Sequence, residues 1–277
     1  MIIDTHFHTN VYTKWEGALE EALDILKKKN ILVFSQTCDI EGYETTLEIA
    51  KKSDFVIPCF GLHPQVAHEY TEQLDSLKSY FNQAIVYGEI GLDHYHLKDK
   101  EQYPHQYKLL EHFFKFAQKK NKLVILHLDG AEEKGLEMIQ NFSLKKVIVH
   151  CYKGSISTLK KMADYGCYFS VGGNYILNSF RSIIGVEDWN HLQTIVKEVP
   201  DELLLLETDG PSRISPDAKP EEPRSKPTHI YKSIQKVAKL RKLSEEEFLE
   251  LTKKNLLSLI ENDSRLVKYV QMIIHSY

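Results

Sequence analysis

Short apolar runs alternate with longer amphipathic runs along most of this chain. Several of the short runs are apolar on both faces of an extended strand, as in VIVH at 147–150 and LLLLE at 203–207. Strands of this kind are typical of a parallel sheet that helices cover. The pattern predicts eight strands, at 2–8, 31–37, 55–62, 85–90, 123–128, 146–151, 167–171 and 203–207.

The longer runs carry apolar residues at helical spacing. In the run 103–120, for example, Leu109, Phe113 and Ala117 share one helical face. The other predicted helices are at 16–29, 42–52, 71–83, 131–140, 157–165, 180–199 and 244–260. Strands that alternate with helices in this way predict an α/β fold, a single-domain (β/α)8 TIM barrel. An open doubly wound sheet is the alternative, but no glycine-rich phosphate loop follows any predicted strand.

Two segments depart from the alternation. The segment 212–227 contains four prolines and is predicted to be a loop at the rim of the barrel, after the eighth strand. We assign residues 1–262 to the barrel and residues 263–277 to a C-terminal helical tail, which could pack on the barrel or on a partner. The helix at 244–260 begins with Ser244 and Glu247, the spacing of a capping box.

The composition is that of a folded, globular protein. Of the 277 residues, 42% are hydrophobic and 27% are charged, which excludes global disorder. The formal net charge of −4 argues against a protein that coats polyanions, but it leaves room for a nucleic-acid enzyme with a local basic rim. The chain shows neither a membrane span of roughly 18 apolar residues nor a signal-peptide pattern. Since the four cysteines form no CxxC pair, we expect a cytoplasmic protein without a disulfide framework.

Polar residues that bind metals well fall at the carboxyl ends of the predicted strands. They are His6, His8, Glu89, His127, His150 and Asp209. In a TIM barrel these strand ends meet at one mouth, where the active site lies. Imidazoles and carboxylates together suit divalent ions such as Zn²⁺, Mn²⁺ or Fe²⁺. Because six ligands exceed what one tetrahedral ion needs, we predict a centre with two metals.

Each of these residues also has a simpler explanation when it is taken alone. The two histidines of the first strand could be hydrogen-bonded core residues, Glu89 could cap a helix, and Asp209 could belong to a turn. Their joint position at the same end of different strands favours the metal centre, because independent structural roles would not place them together.

Seven segments occur in the order of a known family and cover residues 1 to about 260. They are DTHFH at 4–8, CFGLHP at 59–64, YGEIGLDHY at 87–95, VILH at 124–127, VIVHCYKGS at 147–155, YFSVGG at 168–173 and LLLETDGP at 204–211. In this set the chain resembles the TatD family of metal-dependent deoxyribonucleases, which belong to the amidohydrolase-like barrels. The resemblance implies a barrel, a divalent metal centre and phosphodiester hydrolysis.

The resemblance also implies roles for individual residues. His6, His8 and Asp209 would hold one metal ion, and His127 and His150 the other. Glu89 would bridge the two ions, so that it and Asp209, the candidate acceptor of a water proton, are the predicted catalytic residues. Two further residues, His63 and Lys153, are predicted to contact the substrate, and Asp93 is expected to orient a ligand histidine.

We therefore expect a deoxyribonuclease that uses two divalent ions (Mg²⁺, Mn²⁺ or Zn²⁺) to activate a water. The expected substrate is DNA with a single strand or a free 3′ end, cleaved as by a 3′–5′ exonuclease. A hydrolase of a small phosphoester, amide or lactone on the same barrel is the alternative, and a non-catalytic partner subunit is a further one.

The sequence departs from the family at two places that bear on the substrate. Where the family has the pattern HxR, this chain has His127-Leu128-Asp129, so that an acid replaces a cation that could hold phosphate. The segment 212–227 also lacks the usual arginine-glycine stretch, and we consider Arg213, Arg224 or Lys226 as sources of the missing positive charge.

Overall fold

A computed structural model gives the fold, and it describes residues 1–172, 186–211, 223 and 225–276. Eight parallel strands follow one another around a single sheet in chain order. They are β1 (Ile2–Phe7), β2 (Ile31–Ser35), β3 (Val56–Phe60), β4 (Val86–Asp93), β5 (Val124–Asp129), β6 (Val147–His150), β7 (Tyr168–Gly172) and β8 (Leu204–Glu207).

The sheet closes on itself where β8 meets β1. The amide of Asp209 donates a hydrogen bond to the carbonyl of His6 at 2.9 Å, and the amide of His8 donates to the carbonyl of Gly210 at 2.7 Å. Helices cover the outside of the closed sheet, so the predicted TIM barrel is confirmed. We call these contacts between β8 and β1 the closing seam.

Most of the predicted helices are present within one to a few residues of their expected bounds. The described helices are α1 (Ala18–Lys28), α2 (Ile40–Lys52), α3 (Ala67–Tyr70), α4 (Lys78–Gln83), α5 (Tyr103–Lys120), α6 (Glu132–Asn141), α7 (Ile156–Tyr165), α8 (Val186–Glu198), α9 (Ile230–Arg241), α10 (Glu245–Ile260) and α11 (Val267–Ile274). Among the residues described, no helix is both long and apolar enough to cross a membrane.

The helices depart from the prediction in one region, cannot be compared over part of a second, and include one that was not predicted. The run 71–83 folds as a 3₁₀ turn over Leu74–Leu77 followed by α4, which keeps Leu77 and Phe81 buried. Residues 180–185 of the predicted helix 180–199 lie outside the described residues. Helix α9 was not predicted, although Ile230, Ile234 and Val237 give it a buried face.

The start of α10 confirms the predicted capping box. The amide of Glu247 donates to the Ser244 hydroxyl at 3.1 Å, and the amide of Ser244 donates to the Glu247 carboxylate at 2.8 Å. Each bond satisfies a backbone donor that the helix itself leaves without a partner.

Two apolar clusters fill the fold. One lies between the strands and the surrounding helices. The other joins inward-facing strand residues such as Ile57 and Ile125 to Leu256 of α10 and Ile273 of α11. The tail is thus packed against the amino-terminal end of the barrel, which we call the base, and Tyr269 donates a hydrogen bond to the carbonyl of Val56 at 3.2 Å.

Candidate metal centre

The residues predicted as metal ligands lie together at the carboxyl ends of the strands, at the mouth of the barrel. All are buried: His6, His8, Glu89, His127, His150 and Asp209. They come from β1 and the residue after it, from β4, β5 and β6, and from the residues after β8. Distant parts of the chain thus meet at one polar cluster, which we call the ligand cluster.

Two of the strands are irregular just before their ligands, and this irregularity decides where the ligands point. The pairing of β1 with β2 shifts between Asp4 and Phe7, and the pairing of β4 with β5 shifts between Tyr87 and Ile90. Side chains in a regular strand alternate between faces, so a shift of one residue exchanges the two faces. Ile3 and Val86 belong to the inner apolar cluster, and the shifts allow His6 and Glu89, three residues further on, to face inward as well.

The first group of ligands lies at the closing seam. Nε2 of His6 is 3.3 Å from Nε2 of His8, and these two atoms lie 3.7 Å and 3.4 Å from Oδ1 of Asp209. Asp209 has a φ of 55°, a left-handed conformation that Asp adopts more readily than most residues.

The second group of ligands surrounds one oxygen of Glu89. Oε1 of Glu89 is 2.8 Å from Nδ1 of His127 and 2.9 Å from Nε2 of His150. The other oxygen, Oε2, is 3.5 Å from Nε2 of both His6 and His8. The carboxylate of Glu89 therefore spans the two groups.

These distances fit donors that share an ion. Two donors about 2.1 Å from an ion lie about 3.4 Å apart in a tetrahedral arrangement and about 3.0 Å apart at right angles. The separations in the first group range from 3.3 to 3.7 Å, and those around Oε1 of Glu89 are 2.8 and 2.9 Å. Imidazole nitrogens and carboxylate oxygens are also the donors that Zn²⁺ and Mn²⁺ take, so the cluster fits divalent ions.

A second set of polar groups lies behind the imidazole rings. Oδ2 of Asp93 is 3.7 Å from Nε2 of His127, on the side of the ring away from Glu89. Oε2 of Glu207 lies 3.7 Å from Nδ1 of His150 and accepts a hydrogen bond from the hydroxyl of Ser170. Such outer contacts fix which nitrogen of a ring faces an ion.

The protonation of the cluster follows from burial and from these neighbours. Burial alone would raise the pKa of Glu89, but the nearby imidazoles of His150 and His6 hold that pKa well below its usual range. Burial lowers the pKa of His6, and it lowers the pKa of His63 to about 3. Glu89 is therefore ionised, and His6 is neutral with a lone pair that can bind an ion. The lone pair on Nδ1 of His63 accepts a hydrogen bond from the amide of Gln65 at 3.3 Å, which leaves Nε2 as the donor of that ring.

His127 and His150 behave in the opposite way. Burial disfavours their charged forms, but Glu89 raises the pKa of both, together with Asp93 for His127 and Glu207 for His150. Metal binding needs ring nitrogens without a proton, so a cation is expected to compete with protons at these two rings.

The two predicted substrate residues lie at the edge of the cluster. Nε2 of His63 is 3.6 Å from Oε1 of Glu89, and its ring meets the ring of His127 edge to face at 4.7 Å between centroids. The amine of Lys153 forms an ion pair with Oδ2 of Asp129, and Nε2 of His96 is 3.4 Å from the same oxygen. The acid that replaces the family arginine therefore holds a lysine at the rim.

Of the other proposed sources of positive charge, Lys226 is the one that the structure describes. Lys226 reaches the carboxylate of Glu21 on α1, at 2.7 Å. Arg213 and Arg224 lie outside the described residues.

Sequence reasoning missed two residues near the ligands. Glu207 is fully buried inside β8, and a charged residue at the end of the apolar run LLLLE was a signal for it. Cys38 follows β2, and its sulfur lies within 4.8 Å of ligand atoms of His8 and Glu89. The one signal in the sequence was its position directly after a predicted strand, where ligands of a barrel are expected.

Comparison with known proteins agrees with the motifs. The family model described as TatD related DNase matches residues 3–261. Human deoxyribonuclease TATDN3 is 24% identical over 273 residues, which cover 93% of this chain and 94% of that protein. The Bacillus subtilis protein YabD, described as an uncharacterized metal-dependent hydrolase, is 25% identical over 265 residues, which cover 92% of this chain and 97% of YabD.

A nuclease of RNA and a solved structure are also similar. The human 3′–5′ RNA nuclease TATDN2 is 28% identical over 224 residues, which cover 76% of this chain and 28% of that protein. The crystal structure of the TatD homolog YJJV from Escherichia coli superposes with a TM-score of 0.80 at 22% identity and covers 94% of this chain and 98% of YJJV. Because the family model spans nearly the whole chain, this protein belongs to the TatD-related DNase family of metal-dependent hydrolases.

Proposed function

We propose that this protein is a deoxyribonuclease that cleaves phosphodiester bonds with two divalent metal ions. The observation that carries the proposal is the position of Glu89, whose two oxygens face two separate groups of histidines. A carboxylate placed in this way can bridge two ions. We assign His6, His8 and Asp209 to one ion and His127 and His150 to the other.

The residues of the chain divide the chemistry among them. When bound, a pair of divalent ions makes a water more acidic and neutralises the oxygens of a phosphate. Asp209 lies at the edge of the cluster, where its carboxylate can accept the proton of the attacking water. Glu89 holds the two groups at a fixed separation. His63, neutral because of its burial, can hydrogen-bond a phosphate oxygen.

The rim bears on the choice of substrate. Lys153 is the cation that we assign to the phosphate of the strand, and Asp129 holds its amine in place. We propose a single-stranded DNA with a free 3′ end as substrate and cleavage in the 3′ to 5′ direction. The names of the relatives support a nucleic acid, since one is a deoxyribonuclease and another an RNA nuclease.

A small phosphoester is the second candidate substrate, and the ion pair of Asp129 with Lys153 favours it. This pair leaves the rim with less positive charge than an arginine at position 129 would give. A long polyanion gains most from a cationic rim, whereas a small phosphoester needs only the ions themselves.

The test uses metal-depleted protein loaded with Mg²⁺, Mn²⁺ or Zn²⁺. Each form receives 5′-labelled single-stranded DNA with a free or a blocked 3′ end, RNA of the same sequence, and bis(p-nitrophenyl) phosphate. We expect a ladder of products that shortens from the free 3′ end of DNA. The Glu89→Ala variant, prepared in parallel, must be inactive, because otherwise a contaminating nuclease explains the ladder.

Other outcomes assign other functions. Cleavage of RNA in preference to DNA would move the substrate to RNA. Hydrolysis of the small diester without any cleavage of nucleic acid would favour the second candidate. No hydrolysis of any substrate with any ion would contradict the proposed enzyme.

A further inference from the structure

We propose that Cys38 supplies a thiolate ligand to the metal ion at the closing seam and makes this centre prefer thiophilic ions such as Zn²⁺ over Mg²⁺. The proposal rests on the metal centre of the proposed function. It concerns a side chain that the predicted set of imidazoles and carboxylates does not include.

The backbone around Cys38 is fixed against the neighbouring strand ends. The carbonyl of Cys38 accepts a hydrogen bond from the amide of His63 at 2.9 Å. The preceding residue, Thr37, donates its amide to the carbonyl of Gly88 at 3.2 Å and accepts from the amide of Glu89 at 3.0 Å. Cys38 is therefore held directly beside the strand that carries Glu89.

The side chain of Cys38 lies near two of the proposed ligands. Its sulfur and one ligand atom each of His8 and Glu89 all lie within 4.8 Å of one another. A thiolate 2.3 Å and an imidazole nitrogen about 2.05 Å from a tetrahedral Zn²⁺ are about 3.6 Å apart. Because no separation in this group is longer than 4.8 Å, each exceeds the value for a shared Zn²⁺ by about 1.2 Å at most.

The other cysteines have a different environment. Cys59 lies in the apolar cluster inside the barrel, and Cys151 and Cys167 lie in the cluster between strands and helices. Cys38 is partly exposed at the mouth, next to the ligand cluster. Of the four, it is the one placed to meet an ion that enters from solvent.

The chemistry of a thiolate decides the preference among metals. Thiolates favour Zn²⁺ and other soft or borderline ions, whereas Mg²⁺ takes oxygen ligands. The step is a ligand exchange without a redox change. The sulfur–metal bond forms, the sulfur–hydrogen bond breaks, and the proton leaves to solvent.

Cobalt spectroscopy tests the proposal independently of hydrolysis. Metal-depleted protein is titrated with Co²⁺, and its absorption is recorded for wild type, Cys38→Ser and the control Cys167→Ser. We expect a thiolate-to-cobalt charge-transfer band in the near ultraviolet for wild type and Cys167→Ser, and no such band for Cys38→Ser. The visible bands of cobalt should remain in Cys38→Ser, since histidines and carboxylates still bind the ion.

Competition with a chelator measures the preference itself. Cys38→Ser should weaken the binding of Zn²⁺ by at least about 10-fold, the loss that even an indirect partner of a ligand can cause. The binding of Mg²⁺ should change by less than this factor.

Each outcome separates this proposal from the proposed function. Wild-type protein that binds cobalt and cleaves DNA without the ultraviolet band would overturn the role of Cys38 alone. A band in wild type without hydrolysis of any substrate would support the ligand and contradict the nuclease. A band that persists in Cys38→Ser, or a protein that binds no cobalt, would also overturn the proposal.

Discussion

The two ends of the barrel interior differ in the polarity of their side chains. At the base, inward-facing strand residues meet Leu256 and Ile273 in an apolar cluster. At the mouth, the inward-facing side chains are imidazoles and carboxylates, buried just as deeply. Both ends belong to the same strands, so the composition changes along each strand and not from one strand to another.

This difference teaches where stability and chemistry reside. A buried Leu or Ile contributes roughly 1.5–3 kcal/mol to folding. Buried polar groups cost free energy unless they are paired or bind an ion. The base therefore stabilises the barrel, and the mouth uses part of that stability to hold a cluster of donors ready for cations.

The largest effect is expected from Asp209→Asn at the mouth. Loss of this carboxylate removes both a proposed ligand and the proposed proton acceptor, so kcat/KM should fall by about 10³-fold or more, ~4 kcal/mol of transition-state stabilisation. The melting temperature of the metal-depleted variant should stay close to that of the wild type. Steady-state kinetics and calorimetry measure the two quantities. Retention of activity would contradict the role of Asp209.

Leu256→Ala at the base is expected to lower stability and to leave activity unchanged. The truncation leaves a cavity in the apolar cluster and should lower the free energy of unfolding by about 2–5 kcal/mol. The kcat of the folded variant should remain that of the wild type. Urea unfolding provides the measurement, with the exposed residue of the same helix, Lys254→Ala, as the control that should change stability by less than about 0.5 kcal/mol. A loss of kcat in folded Leu256→Ala would break the division between the two ends.

A smaller effect, on the affinity for metal, is expected from Asp93, which lies behind the ligand His127. Asp93→Asn removes the charge that faces Nε2 of His127, so the affinity for the divalent ion should fall by about 10–100-fold. Isothermal titration of the metal-depleted protein gives this affinity. Asp99→Asn, an exposed position before α5, is the matched control and should leave it unchanged. Equal affinities in both variants would show that Asp93 does not orient the ring.

A further effect concerns a charge at the base end of β5. Lys122 is buried, and its amine donates to the carbonyls of Phe81 at 2.7 Å and Ala84 at 2.5 Å. Burial lowers its pKa from 10.5 to about 8, so between these values the unfolded chain binds a proton that the folded protein lacks. The free energy of unfolding should therefore rise with pH over this window, by up to about 1.4 kcal/mol per pH unit, and this gain is lost as the pH falls through about 8.

Lys122→Met tests this pH dependence. The difference in unfolding free energy between wild type and variant, from urea unfolding at pH 7, 8.5 and 10, should increase with pH. The exposed neighbour Lys120→Met should give no such trend. A difference that is constant across pH would contradict the lowered pKa.

The sequence predicted the barrel and the place of the ligand cluster because both depend on local patterns. Apolar runs and helical spacing identified the strands and most helices, and strand ends identified Glu89 and the histidines. Simple alternation from Val86, however, would point Glu89 outward. The shift in strand pairing that turns it inward depends on contacts with β5, which no local pattern contains.

Other features depend on partners that are distant in the chain. The ion pair of Lys153 with Asp129 joins two strand ends. From the sequence, Asp129 indicated only that the cation of the family pattern is absent at this position. Glu207 matters because it faces His150, a neighbour that only the folded barrel supplies. Helix α9 was not predicted, because no element was assigned between the loop at 212–227 and the helix at 244–260.

The closing seam gives the first group of ligands an unusual dependence on chain topology. His6 and His8 stand near the first residue, whereas Asp209 arrives about 200 positions later, and backbone hydrogen bonds tie the two segments together. No shorter stretch of polypeptide can assemble these donors. A cation bound by them would crosslink the first and last strands of the barrel. Its binding would therefore indicate that the barrel has closed.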